Sequence, residues 1–168
     1  KGLMVMGPDC GTAFIDGVPL AFANAVKPGP VGLVAASGTG LQEVMCLLDR
    51  MGVGIRQAYG TGGRDLKDEV GGITALTGLA RLAADPLTKI IAIIGKPPGM
   101  NTRNRLAEGF QSLGKPVFVH YLGADNYKPE LAAGATVAHD LTELAALVAD
   151  SVLPGASAAL LGDFAATS

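Results

Sequence analysis

The run Val31-Gly-Leu-Val-Ala35 is apolar on both faces, and two residues later the chain turns at Ser37-Gly-Thr-Gly40 into a segment of helical period. A strand with no polar face must be covered on both sides, which demands a sheet packed between helices. Leu41, Val44, Met45 and Leu48 fall at i, i+3, i+4 and i+7, the single stripe such a helix buries. Thr39 with Gln42 can form a capping box, and Gly52 can end the helix at positive φ. The turn leaves backbone N–H groups free at a helix N-terminus, where the macrodipole favours negative charge. The motif therefore reads as a seat for a phosphate or carboxylate on Ser37, Gly38, Thr39 and Gly40.

The same strand-then-helix unit recurs. Residues 55–59, 90–94, 116–120 and 135–137 are further strand candidates, and 3–6 is a short one ahead of them. Helical stripes follow on Ile73, Leu76, Ala80 and Ala83, on Leu106, Phe110 and Leu113, and on Leu141, Leu144, Ala145 and Val148. Asp85-Pro86 closes the first of these, and Asp140 with Glu143 caps the last. Alternation at this spacing requires right-handed crossovers, hence an α/β fold with a flavodoxin-like, doubly wound, five-stranded parallel sheet in the order 2-1-3-4-5. The Gly- and Pro-punctuated residues 1–28 read as a connecting segment, 29–153 as the domain and 154–168 as a flexible tail or linker.

Composition narrows the function. The chain has 168 residues, 49% hydrophobic and 17% charged with 24 glycines, enough for one domain with a filled core. A net charge of -2 without any basic cluster interleaved with aromatics argues against nucleic acid as partner. Residues 144–161 are apolar but broken by Asp150, Pro154 and Gly155, so no transmembrane helix is expected, and no signal peptide is visible. Cys10 and Cys46 fit no metal spacing and read as reduced thiols of a cytoplasmic protein with no metal site. The opening Lys-Gly-Leu-Met and the trailing Ala, Gly and Ser read as a piece of a longer protein.

Ligands of open α/β sheets bind outside the carboxyl ends of the strands, near the switch point. The loops expected there are Ser37-Gly-Thr-Gly40, Gly60-Thr-Gly-Gly-Arg-Asp65, Lys96-Pro-Pro-Gly99 and His120-Tyr-Leu-Gly123. Gly62 and Gly63 would let a ligand approach the backbone, and Arg64 and Lys96 would add positive charge. Each also has a plainer reading: turn geometry for the glycines, a solvated pair and a helix cap for Arg64 and Asp65, a helix-end charge for Lys96. A P-loop is excluded because no Gly-Lys-Ser/Thr follows the turn, and the glycine spacing does not fit a dinucleotide fingerprint. Ser37 lacks the Gly-x-Ser-x-Gly setting of a hydrolase nucleophile. His120 ends a strand at the ligand edge and is a weak site candidate; His139 precedes a cap and reads as structural.

Gly7-Pro-Asp-Cys-Gly-Thr12, Pro19-Leu-Ala-Phe-Ala-Asn24, Ala36-Ser-Gly-Thr-Gly-Leu-Gln-Glu43, Gly60-Thr-Gly-Gly-Arg-Asp-Leu66, Glu69-Val-Gly-Gly-Ile73 and Lys96-Pro-Pro98 together resemble the FdrA family. These bacterial proteins are related to the alpha subunit of succinyl-CoA synthetase, and the resemblance runs over residues 3–153. It implies a CoA-ligase-type domain, preceded in the full protein by a CoA-binding domain, with CoA and a nucleotide or phosphate as cofactors. In the synthetase the matching turn holds the phosphate of a phosphohistidine; Ser37, Gly38, Thr39 and Glu43 match it, and Ala35 stands where a further serine would be.

Two departures change the chemistry. The Gly-His-Ala-Gly-Ala loop that carries the phosphorylated histidine is replaced by Gly123-Ala-Asp-Asn-Tyr-Lys-Pro-Glu130, and Lys96 stands where a glutamate would accompany it. No phosphohistidine relay is expected, whereas the anion seat is retained. The resemblance thus implies an acyl-CoA synthetase-like domain that binds a phosphate or acyl phosphate and works as a homo-oligomer or in a hetero-complex, with catalytic residues unassigned. The alternatives are a subunit of an oxamate carbamoyltransferase in allantoin or purine breakdown, binding carbamoyl phosphate, and a non-catalytic scaffold.

Overall fold

The structure is a computed structural model that describes residues 3–6 and 9–160. Two short strands, β1 (Thr12–Ile15) and β2 (Val18–Ala21), form a hairpin ahead of the central strand β3 (Pro28–Ala35) and helix α1 (Gly38–Arg50). Then come β4 (Ile55–Gly60), α2 (Ile73–Ala84), β5 (Ile90–Gly95), α3 (Met100–Phe110), β6 (Val117–Tyr121), α4 (Lys128–Ala132), β7 (Thr136–Val137) and α5 (Leu141–Val152). The sheet order is β2-β1-β4-β3-β5-β6-β7. Strands β3 to β7 are parallel to one another and, counted alone, stand in the predicted order 2-1-3-4-5.

Alternate residues of the strands point to opposite faces, so each face builds its own core. Leu33, Ala35, Ala92, Ile94 and Phe118 pack with Leu41, Val44, Met45 and Leu48 of α1 and with Leu144, Ala145 and Val148 of α5. On the other face Val34, Ile91, Ile93, Val117 and Val119 meet Ala75, Leu79 and Leu82 of α2 and Leu106 and Phe110 of α3. The stripe expected for α2 is displaced: Ile73 is 64% exposed, and the buried face is Ala75, Gly78, Leu79 and Leu82. Gly78 lets this helix lie close to Val34 of β3 and Tyr59 of β4, while Leu79 and Leu82 fill the core beside it and Ile73 turns outward.

The connecting segment of the sequence reading is more than a connector. Residues 3–6 form no strand, and β1 extends the sheet by pairing antiparallel with β4. The turn between β1 and β2 is Asp16-Gly17 with both φ positive, 48° and 84°, as a two-residue hairpin needs. The sheet is therefore seven-stranded and mixed, five parallel strands plus a hairpin. A short α4 also interrupts what reads as one loop at 123–130. At the other end, Ser157 donates from its N–H and hydroxyl to Asp150 at 2.9 and 2.7 Å, and Ala156 and Leu160 are buried on the α1 and α5 side. Residues 154–160 are thus part of the packed body, and 161–168 of the expected tail lie outside the described residues.

Candidate anion-binding site

At the carboxyl edge of β3 the chain enters α1 through Ser37, whose extended backbone (φ -122°, ψ 110°) makes it the N-cap. Its hydroxyl oxygen accepts from the Gly40 N–H at 3.2 Å, and its carbonyl from the Leu41 N–H at 2.9 Å. The cap is thus Ser37 and not the pair Thr39 and Gln42; the Gln42 amide donates instead to the Phe22 carbonyl. The N–H groups of Gly38 and Thr39 belong to the first turn, where a helix offers no internal acceptor. Both residues line a cleft of about 630 Å³.

Three segments line that cleft, Ser37, Gly38 and Thr39 from the α1 turn, Gly63, Arg64 and Lys67 from the loop after β4, and Lys96 and Pro97 after β5, together with Asp9. Of the residues singled out in the sequence, the structure brings together Ser37, Gly38, Thr39, Gly63, Arg64 and Lys96. Gly40 and Gly62 stand apart. The Gly40 N–H is taken by Ser37, and Gly62 is a buried turn residue at φ 82°. Lys67 escaped the sequence reading, although it lies one turn past Arg64 in the same loop. Asp9 escaped it too, a non-glycine residue at φ 68°.

Asp9 is the one carboxylate in the lining, against three cations; the neighbouring Asp65 and Asp68 are engaged elsewhere. Asp65, read as half of a solvated pair or as a cap, is buried and accepts from the N–H groups of Thr74 and Ala75 at 2.9 and 2.8 Å, which fills the N-terminus of α2. Asp68 accepts from the Thr102 N–H at 2.8 Å in the first turn of α3, and that bond holds its carboxyl below the usual range. Asp140 accepts from the Glu143 N–H at 2.7 Å at the start of α5, as the sequence predicts, and Glu143 accepts in turn from the His139 N–H. Of the four long helices α1, α2, α3 and α5, α2 and α3 begin at the glycines Gly72 and Gly99 yet receive the Asp65 and Asp68 carboxylates, α5 begins at Asp140, and α1 has only the Ser37 hydroxyl. Among the described residues no carboxylate lies within ion-pair distance of Arg64, Lys67 or Lys96. The cleft is therefore cationic and open at one helix N-terminus.

Neither histidine belongs to it. His120 is buried in β6 with Nδ1 3.0 Å from the Ala138 carbonyl, and His139 is exposed beyond β7. The space after β6 is filled by aromatic stacking: the Tyr121 and Tyr127 rings lie 6.0 Å apart at 6°, and the Tyr127 hydroxyl donates to the Tyr121 carbonyl at 3.0 Å. Burial pushes the Tyr121 phenol upward. No group of His, Cys, Asp or Glu among the described residues could hold a metal ion, and no described helix is long and apolar enough to cross a membrane.

The chain is similar to several known proteins. Over 142 residues, 82% of this chain and 47% of the relative, it is 30% identical to the malate–CoA ligase alpha subunit of Methylorubrum extorquens. Over 122 residues, 71% of this chain and 39% of the relative, it is 30% identical to the ADP-forming succinate–CoA ligase alpha subunit of Aquifex aeolicus. The chain is a homologue of CoA-ligase alpha subunits. A stronger match, 48% over 122 residues, is to YahF of Escherichia coli, an uncharacterized protein, and covers 73% of this chain but 24% of that one. The homologue thus spans less than half the length of each of these relatives. No family model matches it. Its fold recurs in an acetyl-coenzyme A synthetase of Ca. Korarchaeum cryptofilum solved with phosphate and ADP (TM-score 0.68, 18% identity, 85% of this chain and 35% of that one). It recurs as well in the ATP citrate lyase of Methanothrix soehngenii solved with citrate and coenzyme A (TM-score 0.71, 22% identity, 89% and 30%).

Proposed function

We propose that this CoA-ligase-like domain belongs to a longer protein of FdrA type and that its cleft seats a phosphate or acyl-phosphate group on the Gly38 and Thr39 amides, without a phosphohistidine. The carrying observation is the contrast among helix N-termini: Asp65, Asp68 and Asp140 fill three of them, and α1 alone is left to a neutral serine beside Arg64, Lys67 and Lys96. Backbone donors and unpaired cations at one point suit an oxyanion, and they stabilise negative charge that develops on a transferring phosphoryl or acyl group. Lys96 is exposed and lines the cleft with Arg64 and Lys67, so its charge is available to a bound anion, and this favours the reading over a scaffold. CoA and nucleotide are assigned to parts of the longer protein outside this chain, and its partner copies or subunits act with it in the cytoplasm.

Calorimetric titration of the full-length protein with inorganic phosphate and acetyl phosphate tests the seat. Saturable binding that Arg64→Met weakens about tenfold, the worth of one charged contact, is expected. Absence of binding by either ligand overturns the reading.

A further inference from the structure

The loop 61–72 carries Arg64, Asp65, Lys67 and Asp68 within five residues, and in a free loop such neighbours pair with each other. Here they do not. Leu66 and Lys67 offer their carbonyls to the Gly99 N–H at 2.9 Å and to the Thr102 hydroxyl at 3.4 Å, Asp68 takes the Thr102 N–H, and Arg105 donates to the Gly71 carbonyl at 3.1 Å. This row of bonds staples the loop to the start of α3. Lys67 adjoins Asp68 and Lys96 lies three residues before Gly99, so the staple holds two cation-bearing segments together.

Gly99 makes the approach possible. A Cβ built on it would lie 2.4 Å from the Asp68 Cγ and 2.8 Å from the Asp68 backbone nitrogen. Its backbone, φ -57° and ψ 151°, is one any residue adopts. The glycine is therefore needed for room beside Asp68 and not for its turn.

We propose that Asp68 is a positioning residue of the anion cleft: seated on the α3 N-terminus, it fixes Lys67 relative to Lys96 and keeps its own charge from neutralising either. The inference rests on the anion reading above. The test is the phosphate affinity of the full-length protein, measured by calorimetry for wild type, Gly99→Ala, Asp68→Ala and Asp68→Asn, with thermal melts alongside. Gly99→Ala removes no charge and no hydrogen-bonding group, yet evicts Asp68; Asp68→Asn keeps an oxygen for the Thr102 N–H. Gly99→Ala and Asp68→Ala should each weaken phosphate binding about tenfold, the loss of one well-placed charged contact, while Asp68→Asn stays within about threefold. Wild-type-like binding by the two disruptive variants overturns the proposal, as does an Asn variant as weak as the Ala variant, which would make charge and not position the cause. A wild type that binds no phosphate overturns the anion reading instead.

Discussion

Arg103 and Glu130 grip each other as a fork, Nε to Oε1 at 2.6 Å and Nη2 to Oε2 at 2.7 Å, with Glu130 wholly buried. The guanidinium also lies 5.7 Å from the ring centres of both Tyr121 and Tyr127. This pair closes the segment after β6, where the resemblance to the synthetase would place a reactive histidine loop. A fixed ion pair and stacked rings stand in its place.

Removing one partner of such a pair strands a buried charge, so Arg103→Met should lower stability by about 3–5 kcal/mol. Adding Glu130→Leu should recover much of the loss, because the stranded carboxylate goes with it. Urea denaturation of the single and double variants measures both; equal losses would mean the charge is not what matters.

Replacing Ser37 by aspartate should separate helix stability from ligand binding. A carboxylate on the α1 N-terminus stabilises the helix by about 0.3–1 kcal/mol, and it also occupies the place of the anion. Ser37→Asp is therefore expected to melt no lower than wild type and to bind phosphate at least about tenfold more weakly.

Lys67→Met and Lys96→Met should each reduce phosphate affinity by about tenfold or more, since a charged contact is worth roughly 1.5–3 kcal/mol and a solvated surface lysine almost nothing. Titration calorimetry decides for each lysine singly.

Incubation of the full-length protein with labelled ATP or acyl phosphate should leave no acid-labile, base-stable label. His120, buried in β6, has its Nδ1 against the Ala138 carbonyl and is not among the residues that line the cleft. Label recovered on His120 would sink this expectation.

Asp85 gives the pH dependence a sign. Burial pushes its carboxyl up, but the Leu87 N–H, the Arg56 guanidinium at 2.8 Å and the Thr88 hydroxyl outweigh it and hold it below its ordinary 3.8. A carboxyl depressed on folding contributes stability above its unfolded value and loses it as pH falls through the folded one. The stability gap between wild type and Asp85→Asn should therefore be constant from neutral pH down to about 4–5 and shrink below that, read from urea midpoints.

The parallel core was legible because β3 and β5 are apolar runs and α1, α3 and α5 carry apolar stripes; β3, β4, β5 and β6 start or end within a few residues of their predicted bounds. The hairpin was not, since β1 and β2 are four residues each and Pro19 obscures the second, although Asp16-Gly17 was a signal for it. The stripe of α2 misled because its buried face mixes Thr74, Ala75 and Gly78 with Leu79 and Leu82, while the apolar Ile73 that anchored the expected stripe points outward. Arg64, Lys96 and the α1 turn could be read locally. Asp68 could not, because it caps a helix that begins more than 30 residues away, and only the folded chain brings Thr102 to it.

Both outer strands of the sheet are poor templates. At one side β7 offers only two residues; at the other, β2 includes Pro19, which brings no N–H to a neighbouring chain. The long apolar strands that would nucleate fibrils, β3 and β5, lie between paired neighbours on both sides. Stacking of copies edge to edge is thereby discouraged, and the sheet has no inviting edge from which to grow past its seven strands.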